Sequence, residues 1–197
     1  MARRSKVERA TGETEIALEL DLDGAIDGTR ETGVGFFDHM LDLLARHSGI
    51  GLRVDARGDL QTGAHHTVED VGICLGRALD EALGDRAGIT RYGYSVVPMD
   101  EARSACAIDI SGRPFCAVDV LLPPGSTGGF DHDLLEEFVR AVAANAKLTV
   151  HLDLQRGGGP HHVIEASFKA FARALRQAVS IDPAGGGAVP STKGTLT

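Results

Sequence analysis

The chain has 197 residues, 43% hydrophobic and 24% charged, with a formal net charge of −8 at pH 7. That balance describes a folded globular protein, and the negative charge excludes a general nucleic-acid binder, which needs a basic surface to neutralise phosphates. No apolar run approaches the roughly 18 residues of a bilayer span, and the basic start MARRSK has no apolar stretch behind it, so a cytoplasmic protein without membrane or nucleic-acid partners is expected.

Residues 15–24 (EIALELDLDG) alternate apolar and polar with period two and stop at Asp-Gly, the pattern of a half-buried strand ending in a turn. A second strand-like stretch leads into GVGFFDHMLDLLARHSG, where Phe36, Met40, Leu41, Leu43 and Leu44 fall near helical spacing and Ser48-Gly49 closes the helix. Residues 51–60 are again strand-like. From His65, the residues Val68, Val71, Leu75, Ala78, Leu79 and Leu83 recur at three- and four-residue steps, an amphipathic helix stopped by Gly84.

The second half replays this order. Residues 102–122 read as a hairpin turning at Ser111-Gly112-Arg113-Pro114, residues 130–146 as a helix with Asp131 or Asp133 as N-cap, and residues 147–154 as a strand. A long helix follows from His161, with Val163, Ile164, Phe168, Phe171, Ala172, Leu175 and Val179 on one face. The final helices even share wording, GRALDEAL against ARALRQAV. The fold expected is α+β, a tandem duplication of a four-stranded sheet with two helices packed on one face. Residues 1–92 form the first repeat and 93–197 the second with its C-terminal tail, in one compact catalytic unit. The segment 84–104 reads as the join.

The repeat carries chemistry. GAHHTVED at Gly63 to Asp70 returns as GPHHVIEA at Gly159 to Ala166, an offset of 161 − 65 = 96 residues. Each phrase opens a helix after a Gly-containing loop, so His65 and Glu69, and likewise His161 and Glu165, share a helical face and suit one metal ion. His66 and His162 point about 100° away and are available to a second ion. A single His-His at a helix start is as easily a solvated feature. Two matching copies holding four of the chain's 8 histidines favour metal half-sites. Imidazoles mixed with carboxylates and no thiolate suit Mn, Fe or Zn, and lean to Mn.

His39 lies in the helix before the first phrase, where it either completes a site or makes a local hydrogen bond. His132 echoes it textually. The cysteines Cys74, Cys106 and Cys116 form no CxxC pair and read as reduced packing thiols. The tail GGGAVPSTKGTLT has the composition of a disordered end, yet Ser191, Thr192 and Lys193 offer the donors a phosphate needs, and Arg91 and Arg113, each at a loop, are either solvated charges or further donors.

The two HHxxE phrases, with FFDHML, PMDEA, DISGRP, ARALRQAV and PSTKG in order, resemble the imidazoleglycerol-phosphate dehydratases over nearly the whole chain, from about Val7 to Gly194. The resemblance implies an interfacial active site in a 24-subunit homo-oligomer with two Mn²⁺ per site. It places metal binding on His39, His65, His66, Glu69, His161, His162 and Glu165. The eighth ligand is a histidine in plant-like members; LLEEFV stands there in this chain, so Glu137 takes the position. Arg91, Arg113, Ser191 and Lys193 match the family's phosphate binders. Glu13 matches an acid that contacts the substrate diol and moves protons, against the plainer reading of an exposed charge before a strand; with it, Glu69 and Glu165 are the catalytic carboxylates.

The implied reaction converts D-erythro-imidazoleglycerol phosphate to imidazole acetol phosphate plus water in histidine biosynthesis. The hydrogen to be lost is not acidic, so an imidazolate with both nitrogens on Mn²⁺ is expected to expel hydroxide to a diazafulvene. The alternatives are a dinuclear phosphoesterase, which would release inorganic phosphate, and a non-catalytic metal-binding assembly, which would leave the arginines and tail without a task.

Overall fold

In the computed structural model residues 2–24 and 26–196 are described. Chain order runs β1 (Arg4–Ala10), β2 (Thr14–Asp21), β3 (Arg30–Glu31), α1 (Gly35–Ser48), β4 (Gly51–Gly58) and α2 (His65–Leu83). The sequence of elements then restarts with β5 (Tyr92–Met99), β6 (Ala102–Asp109) and β7 (Phe115–Asp119). A small ribbon, β8 (Ser126–Thr127) with β9 (Phe130–Asp131), precedes α3 (Leu134–Ala146), β10 (Thr149–Arg156) and α4 (Pro160–Val179).

Two four-stranded sheets result, in orders β1-β2-β4-β3 and β5-β6-β10-β7. Each contains one parallel pair at its edge, β3 with β4 and β7 with β10, and is otherwise antiparallel. The sheets are thus copies, and the duplicated α+β fold stands as expected. Along β2 the inward Ile16, Leu18 and Leu20 are buried while Glu15 faces outward, which is why that alternation was readable.

Helices cover one face of each sheet. α2 lies on β1, β2 and β4, and α4 lies on β5, β6 and β10. The remaining helices cross over: α3 packs on α2, and α1 packs on α4. Glycines make the first of these contacts close, since a Cβ on Gly76 would stand 2.7 Å from the Val142 carbonyl and one on Gly72 2.8 Å from the Ala141 Cβ. Phe37 stacks on Phe130 at 5.7 Å, Phe138 meets Phe37 at 5.4 Å and Phe168 at 5.2 Å, joining the halves in one core. Neither repeat buries its helices without the other.

Three expectations are corrected. Residues 102–122 are not a hairpin, because β10 inserts between β6 and β7 and bonds to both. The turn at Ser111 to Pro114 reverses the chain but sets β7 beside the later strand, whose Val150 and Leu152 are fully buried. The segment 84–104 is not merely a join: it contains β5 and the start of β6. And residues 4–10, to which the sequence assigned no element beyond the basic start MARRSK, form the edge strand β1.

The helix ends follow local chemistry. Gly49 closes α1 and Lys147 closes α3, both left-handed at φ 73° and 55°. Asp133 stands at the N-cap of α3 without a side-chain capping bond, and Pro160 opens α4, where its missing N–H costs nothing. The tail is held: the Ala188 carbonyl accepts from Gly88 N–H, the Leu196 carbonyl accepts from Arg86 at 2.7 Å, and the Leu196 side chain is buried.

Candidate metal and active site

Both HHxxE phrases occupy the first turns of their helices, α2 and α4. In α4, the buried Glu165 carboxylate is met from two sides: His161 Nε2 lies 3.2 Å and His39 Nε2, from α1, 3.7 Å from its Oε2. Lys169 Nζ, one turn on, donates to Oε1 at 2.6 Å. Burial pushes the Glu165 carboxyl up, but the hydrogen bond and charge of Lys169, helped by His39 and His161, outweigh it and hold the group below its usual range. The Phe36 ring stands edge-on to His161 at 5.1 Å. The parallel packing of α1 on α4 therefore delivers His39 to the second phrase, not to the first.

In α2, His65 Nε2 lies 3.8 Å from Glu69 Oε2, and both side chains are about half exposed. His66 turns away, its ring at 87° to that of His65, and its Nδ1 sits 3.1 Å from both oxygens of Asp59. Glu13, in the β1–β2 turn, reaches within 3.8 Å of His66 Nε2. The hydrogen bond that His66 donates to Asp59 raises its imidazole pKa. His162 is arranged alike: its ring is 89° from that of His161, and its Nδ1 lies 2.9 and 3.1 Å from the oxygens of Glu101. Glu101 also accepts Gly159 N–H at 2.8 Å. That backbone donor first, then His162, holds the Glu101 carboxyl down at about 2.

His39, His161 and Glu165 form a mixed imidazole and carboxylate donor set of the kind a divalent cation takes. Adjacent donors on an ion with bonds of about 2.1 Å stand about 3 Å apart, close to the 3.2 and 3.7 Å by which two imidazoles face Glu165 Oε2. Asp100, Glu101 and His162 also bring three donor atoms within 4.8 Å of one another. Among the described residues, no hydrogen bond or ion pair joins His65, His66 or Glu69 to the second phrase.

Glu137 and His132 separate cleanly. Counted from the helix C-caps, 147 − 49 = 98, so Glu137 occupies in α3 the place of His39 in α1, and it is half-buried. His132 is buried in a loop clasp, donating from Nδ1 to the Pro123 carbonyl at 2.8 Å and meeting Thr127 Oγ1 at 3.1 Å.

The phosphate candidates gather elsewhere. Arg91 grips Asp109 at 2.7 Å and the Pro190 carbonyl at 2.8 Å, fixing the tail beside it. Its carbonyl accepts Ile110 N–H, next to the Ser111 to Arg113 turn. Arg113, Ser191 and Lys193 lie at the same end, with Ser191 Oγ accepting Lys193 N–H at 3.2 Å. Arg91 N–H bonds the Ala178 carbonyl at the far end of α4 from His161. Seventeen residues of helix at about 1.5 Å each put roughly 26 Å between these groups within one chain.

Sequence reasoning missed Asp59, Glu101 and Lys169. Lys169 carried a signal, the i,i+4 spacing from Glu165. Asp59 carried none and Glu101 stood only within the family phrase PMDEA, since loop geometry alone brings both to the rings. Behind the first phrase, buried Asp70 accepts Thr14 Oγ1 at 2.5 Å and pairs with Arg9 at 2.9 Å, tying β1 and β2 to α2.

Comparison with known proteins places the whole arrangement. The family model described as imidazoleglycerol-phosphate dehydratase matches residues 32–175. An imidazoleglycerol-phosphate dehydratase of Ruegeria pomeroyi is 54% identical over 98% of this chain and 100% of its own length; one of Halorhodospira halophila is 54% identical over 100% of both. The crystal structure of the dehydratase from Staphylococcus aureus superposes with a TM-score of 0.83 at 42% identity, covering 91% of this chain and 99% of that one. With duplicated sheets, paired HHxxE helices and these relatives along its full length, the chain belongs to the imidazoleglycerol-phosphate dehydratase family.

Proposed function

We propose that the protein is the cytoplasmic hydro-lyase that dehydrates D-erythro-imidazoleglycerol phosphate to imidazole acetol phosphate in histidine biosynthesis, with two Mn²⁺ per active site. The convergence of His39 and His161 on one oxygen of buried Glu165 carries the metal reading. His39, His161 and Glu165 supply one cluster of ligands; His65 and Glu69, with Glu137 on the neighbouring α3, supply the other; His66 and His162 offer their Nε2 atoms outward. Bound metal supplies Lewis-acid charge at the two ring nitrogens of the substrate.

The chain's own groups do the rest. Arg113, Ser191 and Lys193, with the remaining donors of Arg91, clamp the phosphate and fix the ring's orientation. Glu13, exposed on its turn and beside His66, is placed to move a proton. The C–O bond breaks with its electron pair on oxygen, and the departing hydroxide takes a proton from solvent and leaves as water, a proton that Glu13 returns to solvent after accepting one from carbon. The neighbouring C–H gives its proton to Glu13 and its electron pair to the new double bond, and the resulting enol ketonises.

The substrate spans under about 10 Å from ring to phosphorus, a handful of bonds near 1.5 Å each. It cannot bridge the roughly 26 Å along α4, so the metal end of one chain meets the phosphate end of another, and assembly into a closed homo-oligomer, 24 subunits by family resemblance, follows. The test is incubation of Mn²⁺-loaded and metal-stripped protein with the substrate, following ketone and free phosphate together. Ketone formed only with metal and without phosphate supports the reading; released phosphate makes the protein a phosphoesterase, and no turnover in either state makes it a non-catalytic metal binder.

A further inference from the structure

The second histidine of each phrase is held in the same way by two carboxylates that are not copies of one another. Asp59 follows β4, and the equivalent place after β10 is Gly157, since β10 starts 149 − 51 = 98 residues after β4. Glu101 sits in the β5–β6 turn, and its counterpart in the β1–β2 turn is Glu13, since 102 − 14 = 88 between the starts of β6 and β2. Glu13 does not take up the same task, for it faces Nε2 of His66 rather than Nδ1. Duplication alone would have produced matching partners. The two repeats reach one geometry by separate routes.

Each carboxylate is itself anchored. Thr62 Oγ1 donates to Asp59 Oδ2 at 2.9 Å, and Gly159 N–H donates to Glu101 Oε1 at 2.8 Å. Room for Glu101 depends on Gly158, where a Cβ would lie 2.5 Å from the Glu101 carboxylate. With both oxygens 2.9 to 3.1 Å from Nδ1, the carboxylate accepts the ring's one N–H and leaves the Nε2 lone pair facing away.

We propose that Asp59 and Glu101 are positioning residues that fix the ring orientation and tautomer of His66 and His162, so that Nε2 of each is presented as a metal ligand. The proposal rests on the metal-dependent reading above and deepens it. Partners of this kind orient a ligating imidazole and raise its basicity, and their loss weakens metal binding by about 10- to 100-fold.

The experiment measures Mn²⁺ affinity by titration calorimetry on the assembled protein for the wild type, Asp59→Ala, Glu101→Ala, Asp59→Asn and Glu101→Gln. In parallel, Cu²⁺-loaded samples are read by electron spin echo envelope modulation, which senses the hydrogen bond on the non-coordinating imidazole nitrogen. The alanine variants are expected to bind Mn²⁺ about 10- to 100-fold more weakly, with the remote-nitrogen signal altered. The amide variants keep an acceptor oxygen and are expected to return to within about threefold of the wild type. Wild-type affinity in both alanine variants overturns the proposal. Amide variants as weak as alanine also overturn it, because the carboxylate would then act by its charge or as a ligand itself. A wild type that does not bind Mn²⁺ at all refutes the metal reading instead, and the two failures are distinct.

Discussion

If the active site is completed between chains, two inactive variants should rescue each other. His161→Ala removes a ligand at the metal end, and Arg113→Ala/Lys193→Ala removes two cations at the phosphate end. All three side chains are solvent-accessible, so the fold is expected to survive. Two charge-assisted contacts at about 1.5–3 kcal/mol each amount to a loss of roughly 10²- to 10⁴-fold in the double variant. Because α4 separates the two ends by roughly 26 Å, such a site would draw each end from a different subunit. Random co-assembly at equal amounts gives about a quarter of the sites with both ends intact. The assay is dehydratase activity of the co-refolded mixture against each variant refolded alone, with assembly verified by light scattering. Activity no higher than the parents in a fully mixed assembly would refute the argument from helix length.

Other consequences follow from the packing. Asp70→Ala removes the carboxylate that pairs with Arg9 and accepts from Thr14 and should destabilise by about 3–5 kcal/mol, as for a broken buried pair; thermal unfolding should show it, and a fall of less than about 2 °C would exclude that role for Asp70. Gly76→Ala pushes a methyl to within 2.7 Å of the Val142 carbonyl and should cost about 1–3 kcal/mol through displacement of α3, measured by urea unfolding. Burial pushes the Cys74 and Cys116 thiols up to about 11 and Cys106 higher still. A thiol reagent at pH 8 should therefore react with the native protein far more slowly than with the unfolded chain. The folded state keeps these protons longer, so stability should fall as pH rises from about 9 to 11, and a flat profile over that window would contradict the burial.

Some elements were legible because their burial is one-sided. β2 alternates cleanly, and α2 and α4 carry apolar stripes broken by Gly84 and by the turn after Val179. β1 escaped because only Val7 of its seven residues is buried, so an edge strand leaves no alternation to read. β5 escaped for the opposite reason: Tyr92, Tyr94 and Val96 face solvent, while the inward Gly93 is held small by the Ala174 carbonyl, 1.9 Å from where a Cβ would sit. The apparent hairpin at 102–122 failed because sequence adjacency favours pairing of neighbours, whereas β10, with Val150 and Leu152 fully buried, takes the place between them.

The sequence by itself determined the duplication, the two HHxxE helix starts and the family, since spacing along a helix places His65 with Glu69 and His161 with Glu165 without reference to anything distant. Which further groups meet them was decided only in three dimensions. His39 belongs to the second phrase because α1 packs on α4, Asp59 and Glu101 reach the rings from unrelated loops, and Arg91 with the tail lies a helix length away. These are contacts between residues far apart in the chain, set by how the two repeats exchange their helices, and no local pattern encodes that exchange.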